Sequence, residues 1–383
     1  MHSGTRKSLT AITFAICALF CIGGSRPLQS KARIQVDTPF SNWRPSNDTQ
    51  GIRNVGSKAC VQCHTVEAAG LNTSMAHALE AAGNCKVLSM NERLLFRNGP
   101  FSYELSSQGN RPLYTVSDGV KKISEPILYC FGEGIVGQTY VFRHNGLFYE
   151  TRVSYFREIR GLDFTIGHSR LVPTSVEDAL GREIAMDEAK NCFGCHTTGA
   201  VNGSRLQLDQ LSPGVGCEAC HGPGEKHIAA VKAEKLNDLQ IFNPRSLSAN
   251  DLTQSFCGTC HTSFEQAMLM PGQSGINNIR FQPYRMFNSP GHNKDDHRIS
   301  CTACHDPHEQ LETAPASYDS KCLACHLTLL KDTKTALRSA PACPVSTQRC
   351  VTCHMPKVEL PGMHAKFTDH WIRTVKAGAP VPR

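Results

Sequence analysis

Cys217-Glu218-Ala219-Cys220-His221 places two cysteines three residues apart and a histidine directly behind them, and the chain repeats that pattern seven times. The other copies are Cys60-Val61-Gln62-Cys63-His64, Cys192-Phe193-Gly194-Cys195-His196, Cys257-Gly258-Thr259-Cys260-His261, Cys301-Thr302-Ala303-Cys304-His305, Cys322-Leu323-Ala324-Cys325-His326 and Cys350-Val351-Thr352-Cys353-His354. Cysteines three apart on a helix lie about one turn from each other and face the same way. Each can form a thioether to one edge of a porphyrin, and the next residue then aims its imidazole at the iron. Structural zinc also uses C-x-x-C pairs. Histidine, however, is only 17 of 383 residues, and seven of seven pairs followed directly by it is not a zinc pattern. The motifs predict seven covalently attached c-type haems, with His64, His196, His221, His261, His305, His326 and His354 as proximal iron ligands.

Working outward, the motifs are unevenly spread. Six fall between Cys192 and His354, in less than half of the chain. At about 27 residues per haem there is too little chain to build a protein core around each. The expectation is a packed haem stack wrapped by short helices and irregular loops. Residues 65–191 carry no motif. Within them, Leu94–Phe96, Phe101–Leu105, Leu113–Val116, Thr139–Phe142 and Phe148–Val153 are rich in aromatic and β-branched residues, with Asn-Gly, Gln-Gly and Asp-Gly turns between them. Residues 91–160 are therefore expected to form a small antiparallel β insert, with a hairpin turn at Arg143–Gly146. Ser175 opens what looks like one capped helix over 175–190 leading into the second motif. The expected organisation is a leader at 1–25, an extended linker at 26–55, a first haem segment at 56–90, the insert, a six-haem domain at 161–375 and a tail at 376–383.

The leader has Arg6 and Lys7 ahead of an apolar run from Leu9 to Gly24 and then small residues, the pattern of a secretory signal peptide. An uncleaved anchor is the alternative. Export to the periplasm or outer cell surface follows from either. The formal charge of +7 falls to +5 without Arg6 and Lys7. Two propionates on each of seven haems would bring the reduced protein near −9. That balance, and the lack of any lysine- or arginine-rich run, excludes nucleic acid as a partner.

A six-coordinate haem needs a second ligand. Nine histidines lie outside the motifs and beyond the leader: His77, His144, His168, His227, His292, His297, His308, His364 and His370. His308 stands three residues after His305, on the same side of the chain, so it should ligate a neighbouring haem. His227 invites the same reading. His77, His168, His364 and His370 are further candidates, and His292 and His297 compete for a seventh place. His144 sits in the hairpin turn and is not expected to be a ligand. Cys85, Cys130 and Cys343 stand outside the motifs. A disulfide between two of them suits an oxidising compartment, but the sequence does not assign it.

The segments Cys217–His227, Cys301–His308 and Cys350–Lys357, with Leu360–His364 and Phe367–His370 behind them, resemble the cytochrome c-552/4 (c-554-type) domain family. The resemblance covers roughly residues 56–80 and 160–375. It implies an electron carrier of the periplasm or outer surface with closely stacked haems. The expected function is electron transfer between a donor and an acceptor protein through mostly bis-histidine haems, with a membrane-associated complex among the partners that fit. Two alternatives stand beside it. One is an oxidoreductase acting on a small nitrogen or sulfur species at one five-coordinate haem. The other is a subunit of a conductive or respiratory assembly.

Overall fold

The computed structural model describes residues 52–108, 111–203, 205–270, 272, 274–292, 298–326, 343–376, 378–379 and 381–382. The leader, most of the linker and His297 lie outside them. The description concerns the unit Thr38–Arg383. Among the described residues no helix is long and apolar enough to cross a membrane.

The N-terminal half is a ten-stranded antiparallel sheet: β1 (Leu79–Ala81), β2 (Arg93–Asn98), β3 (Phe101–Gln108), β4 (Arg111–Ser117), β5 (Lys122–Phe131), β6 (Gly137–His144), β7 (Leu147–Thr151), β8 (Val153–Phe156), β9 (Gly161–Phe164) and β10 (Gly181–Glu183). All five stretches expected as strands are in it, the last of them divided at Arg152 between β7 and β8. So is the turn at Arg143–Gly146, where Asn145 and Gly146 take the positive φ values, 51° and 83°, that a two-residue hairpin turn requires. A wrap of short helices and loops therefore describes only part of the molecule, since strands run from Leu79 to Glu183.

Two features explain what the periodicity did not reveal. β5 carries Pro126, which cannot donate to a ladder and argues against an interior strand. Here Pro126 is the last residue paired with β4, opposite Leu113, and Ile127 is the first paired with β6, opposite Phe142. The strand changes neighbours at the proline, with a register shift between Ile127 and Tyr129. The expected single helix over 175–190 is split. Ser175 does cap a helix, accepting from the Asp178 amide at 3.1 Å, but that helix spans only Val176–Ala179. Gly181 then takes φ +138° so close to the sheet that a Cβ would meet the Glu150 carbonyl oxygen at 2.1 Å. It pairs with Thr151, and a second helix begins at Met186.

The sheet buries aromatic and aliphatic side chains on both faces. One cluster includes Tyr103, Leu105, Tyr114, Val116, Tyr140 and Phe142. The other joins Leu79, Val141 and Phe148 to Ile184, Ala189 and Phe193 of the second motif's approach. Phe193, between the two cysteines of that motif, packs edge-on to Tyr129 at 4.9 Å and Phe131 at 5.4 Å between ring centres. Among the described residues beyond Ala200, by contrast, the buried hydrophobic residues are only Ala230, Ala249, Leu252, Ala267, Ile279 and Met363. The motif-rich half has little apolar core of its own. Phe193→Ala should cost about 3–5 kcal/mol, as a buried aromatic truncation does, and should loosen the second motif from the sheet. Denaturant unfolding of the purified protein, followed through sheet circular dichroism, would check this, with an unchanged midpoint as the contrary result.

Candidate functional site: the motif helices and their facing imidazoles

Each described motif lies on or ends a short helix: Ser57–Cys60, Met186–His196, Cys217–His221, Gly258–His261, Cys301–Cys304, Asp319–His326 and Cys350–His354. A helical turn there puts the two cysteine positions on one side, as the attachment chemistry needs. The helices meet in pairs. The thiols of Cys60 and Cys217 are in hydrogen-bonding contact, as are those of Cys257 and Cys301. The sixth and seventh motifs join through Asp319, whose carboxylate accepts from the Arg349 amide at 2.7 Å and the Cys350 amide at 2.9 Å. Cys195 of the second motif reaches the Thr259 carbonyl of the fourth at 3.8 Å.

Glu218, an x residue of the third motif, is 3% exposed. Its carboxylate accepts from the amides of Val55, Gly56 and Gly224, each at 2.8 Å. In return the Cys217 amide donates to Ser57 Oγ at 3.0 Å. A buried charge is tolerated only when so satisfied, and this one staples the first motif to the third. Nothing in the spacing of the motifs marked Glu218.

Three non-motif histidines face motif histidines. Ring centres are 6.3 Å apart for His64 and His227, 6.2 Å for His221 and His308, and 6.3 Å for His305 and His370. With metal–nitrogen bonds of about 2 Å and roughly 1.1 Å from nitrogen to ring centre, two imidazoles on opposite sides of one metal ion stand about 6.3 Å apart. The spacing fits an iron between each pair. Tautomers fit as well. His196, His221, His227, His354 and His370 direct Nδ1 to the backbone carbonyls of Ala78, Phe242, Leu239, Arg373 and Thr368 at 2.7–3.1 Å. Nδ1–H donates there and leaves the Nε2 lone pair free for a metal. Burial lowers the basicity of His196, His221, His261 and His305, and takes His370 down to about 4. Neutral imidazole is the form that ligates.

The other candidates are placed differently. His168 directs Nε2 to Glu150 at 3.0 Å and His364 directs Nε2 to Asp163 at 2.8 Å. His144 bonds Glu125 through Nδ1 at 2.7 Å. His292 packs on Phe287 at 4.8 Å, and His77 follows the first motif two residues before β1. None of these five faces a motif histidine at the spacing of the three pairs.

His370 is held by a buried ion pair. Arg285 and Asp369 are both 0% exposed. Arg285 Nε and Nη2 donate to the two Asp369 carboxylate oxygens at 2.8 and 2.7 Å, Arg285 Nη1 donates to Asn278 Oδ1 at 3.0 Å, and Arg373 Nη1 donates to Asp369 Oδ2 at 2.7 Å. Arg285 also lies 4.9 Å over the Trp371 ring. The pair locks residues 369–373 to the helix Gln282–Phe287.

The model of the family described as cytochrome c554 and c-prime matches residues 170–222, the stretch that holds the second and third motifs. The chain is 22% identical over 220 residues to "Multiheme cytochrome MtrA" of Shewanella baltica (strain OS185), covering 52% of this chain and 55% of that protein. The chain is a multihaem c-type cytochrome. Its seven motifs carry the attachment signature of covalently bound c-type haem. It is also 21% identical over 169 residues to "Dissimilatory sulfite reductase MccA" of Wolinella succinogenes, covering 34% of this chain and 24% of that one. The chain thus spans about half the length of the first relative and about a quarter of the second. The "Outer Cell Wall Cytochrome OcwA" crystal structure overlaps 83% of this cytochrome and 79% of its own chain at 15% identity, with a TM-score of 0.48.

Burial pushes the Asp369 carboxyl up, but the hydrogen bonds from Arg285, the Trp371 amide and Arg373 outweigh it and hold the group below the usual carboxylate range. The folded value is thus depressed below the unfolded one. The stability it contributes is complete above the unfolded value, about 3.9, and is lost as pH falls through the folded one. Asp369→Asn should remove that part of the acid dependence. Asp369→Ala should cost about 3–5 kcal/mol, because it strands a buried guanidinium. Unfolding midpoints of wild type and both variants between pH 2 and pH 7 would test this. Parallel acid profiles for wild type and Asp369→Asn would contradict it.

Proposed function

We propose that this cytochrome is an exported heptahaem electron carrier. It would pass electrons between a donor and an acceptor protein of the periplasm or outer cell surface through stacked, largely bis-histidine haems. The observation that carries the reading is the set of three motif histidines, each facing a second imidazole across a gap of one metal ion. His227 would ligate the haem of His64, His308 that of His221, and His370 that of His305. Each second ligand comes from chain that follows a different motif, so ligation itself ties neighbouring haems together. Saturated iron has no open coordination position, which favours transfer over substrate chemistry.

The haem supplies the redox couple, and this chain's residues set where it sits. The contacts of Cys60 with Cys217 and of Cys257 with Cys301 bring attachment points close, and the Cys195–Thr259 contact adds the second motif. With the crossing ligands, the order runs from the first motif through the third to the fifth. There it divides, towards the fourth and second motifs on one side and the seventh and sixth on the other. For the remaining haems, His77, His168, His292 and His364 are the described candidate ligands. His168 and His364 would first have to leave Glu150 and Asp163.

A second reading is an oxidoreductase acting on a small sulfur or nitrogen oxyanion at a five-coordinate haem. It is favoured by Arg280, whose guanidinium stacks 5.1 Å from the Phe367 ring centre and whose charge further lowers the basicity of both His196 and His261. Among the described residues no imidazole faces either histidine at the ligand spacing. A positive group beside two such irons suits an anion.

Intact mass of the purified protein should exceed that of the processed chain by seven haems, and a smaller increase would mean an unused motif. Electron paramagnetic resonance of the oxidised carrier should show low-spin haem throughout, whereas a high-spin signal would move the assignment to the oxidoreductase. His308→Ala should convert one haem, that of His221, to high spin and open it to carbon monoxide. An unchanged spectrum in that variant would refute the crossed ligation.

A further inference from the structure

We propose that Cys85 and Cys130 are a reactive dithiol that becomes a disulfide in the exported protein and clamps the segment behind the first motif onto the sheet. The inference rests on the export reading above. Neither cysteine belongs to a haem motif. Both lie in one buried cluster, 2% and 0% exposed. The two thiols are unbridged and hydrogen-bonded to each other. Cys85 Sγ donates onward to Gln138 Oε1 at 2.8 Å, and Gln138 Nε2 donates to the Gly132 carbonyl at 2.7 Å and to Glu80 Oε2 at 3.2 Å. Among the described residues no cluster of three or more histidine, cysteine or acidic side chains is arranged for a metal ion. Two thiols in contact have oxidation as their evident chemistry.

Their contact separates the two sulfurs electrostatically. The hydrogen bond from Cys130 lowers the Cys85 thiol despite burial, while the same bond and burial raise that of Cys130. The step balances against a disulfide-bearing oxidant protein of the export compartment. One of the two cysteines, as its thiolate, takes one oxidant sulfur and releases the other as a thiol. The second cysteine, losing its proton, then displaces the oxidant from the first. Two S–H bonds are lost from the pair and one S–S bond is made, and the oxidant leaves carrying two electrons and two protons. Burial keeps a protein oxidant from reaching either sulfur in the closed sheet, so the bond forms as the sheet closes and is afterwards shielded from reductant.

The position gives the bond a purpose. Cys130 is the register partner of Glu80 on β1, and Cys85 follows β1 by four residues. The carbonyl of Ala78, the residue before β1, accepts from the Gly132 amide at 2.8 Å and from His196 Nδ1 at 2.8 Å. A bond from Cys85 to Cys130 closes this segment on itself and fixes the carbonyl that orients His196.

The test is a peptide map of haem-loaded protein recovered from the export compartment, denatured with an alkylating reagent and no reductant. The expected product is a cross-linked pair of peptides containing Cys85 and Cys130, two hydrogens lighter than their sum, which separates and takes up one alkyl group on each after reduction. Recovery of both as alkylated thiols, or of either joined to Cys343, overturns the proposal. The same digest reports the motif cysteines separately: alkylation there would overturn the haem reading and leave the Cys85–Cys130 result standing on its own. Reductant in denaturant should lower the unfolding midpoint of the wild type and leave Cys85→Ser/Cys130→Ser unmoved, and equal responses would count against the bond.

Discussion

The motif-rich half of this cytochrome buries very little apolar side chain among its described residues. Six attachment motifs crowd between Cys192 and His354, and among the described residues beyond Ala200 the buried apolar side chains are few, half of them alanine. Hydrophobic burial scales with area removed from water, so that half must obtain its cohesion elsewhere. The structure shows two sources besides the covalently bound haem. One is polar stapling between distant segments, by Glu218, Asp319 and the Arg285–Asp369 pair. The other is the sheet, whose own core reaches out through Phe193 to hold the second motif.

The polar staples work because each is fully satisfied. Asp369 receives hydrogen bonds from Arg285, Arg373 and the Trp371 amide. Arg285 directs its remaining Nη1 donor to Asn278 and the Pro382 carbonyl. Such a pair adds little net stability over an apolar replacement, yet removing one partner is severe. Its contribution is positional. It fixes the backbone on both sides of His370, the imidazole that faces His305.

Much of this was legible in the sequence. The motif spacing announced the chemistry, and the aromatic and β-branched runs between Leu94 and Val153 announced the sheet. His308 and His227 were legible as histidines turned away from their own motifs, and each stands opposite the histidine of another. What was not legible depends on partners far away in the chain. Pro126 argues against a central strand until one sees that the strand changes neighbours there. Gly181 looks like an ordinary helical glycine until Glu150 comes within 2.1 Å of its missing Cβ. That Glu150 and Asp163 stand against the Nε2 atoms of His168 and His364 could not be read from the sequence either. Asp369 and Glu218 carry no local pattern at all. What defines each is burial opposite donors from remote segments, Arg285 for the one and the amides of Val55 and Gly56 for the other.

The Glu218 staple bears on the order in which the molecule can be completed. A chain made from its N-terminus presents the first motif long before the third, and the amides of Val55 and Gly56 have no carboxylate to meet until Glu218 has emerged. The imidazole facing His64 arrives later still, at His227. The earliest attachment site is therefore solvated and unconstrained while the rest emerges, open to whatever machinery joins porphyrin to cysteine. Its surroundings close only after the chain has doubled back. Synthesis order and closure order run in opposite senses at this end of the protein, and the delay is written into the sequence distance between one glutamate and two backbone amides.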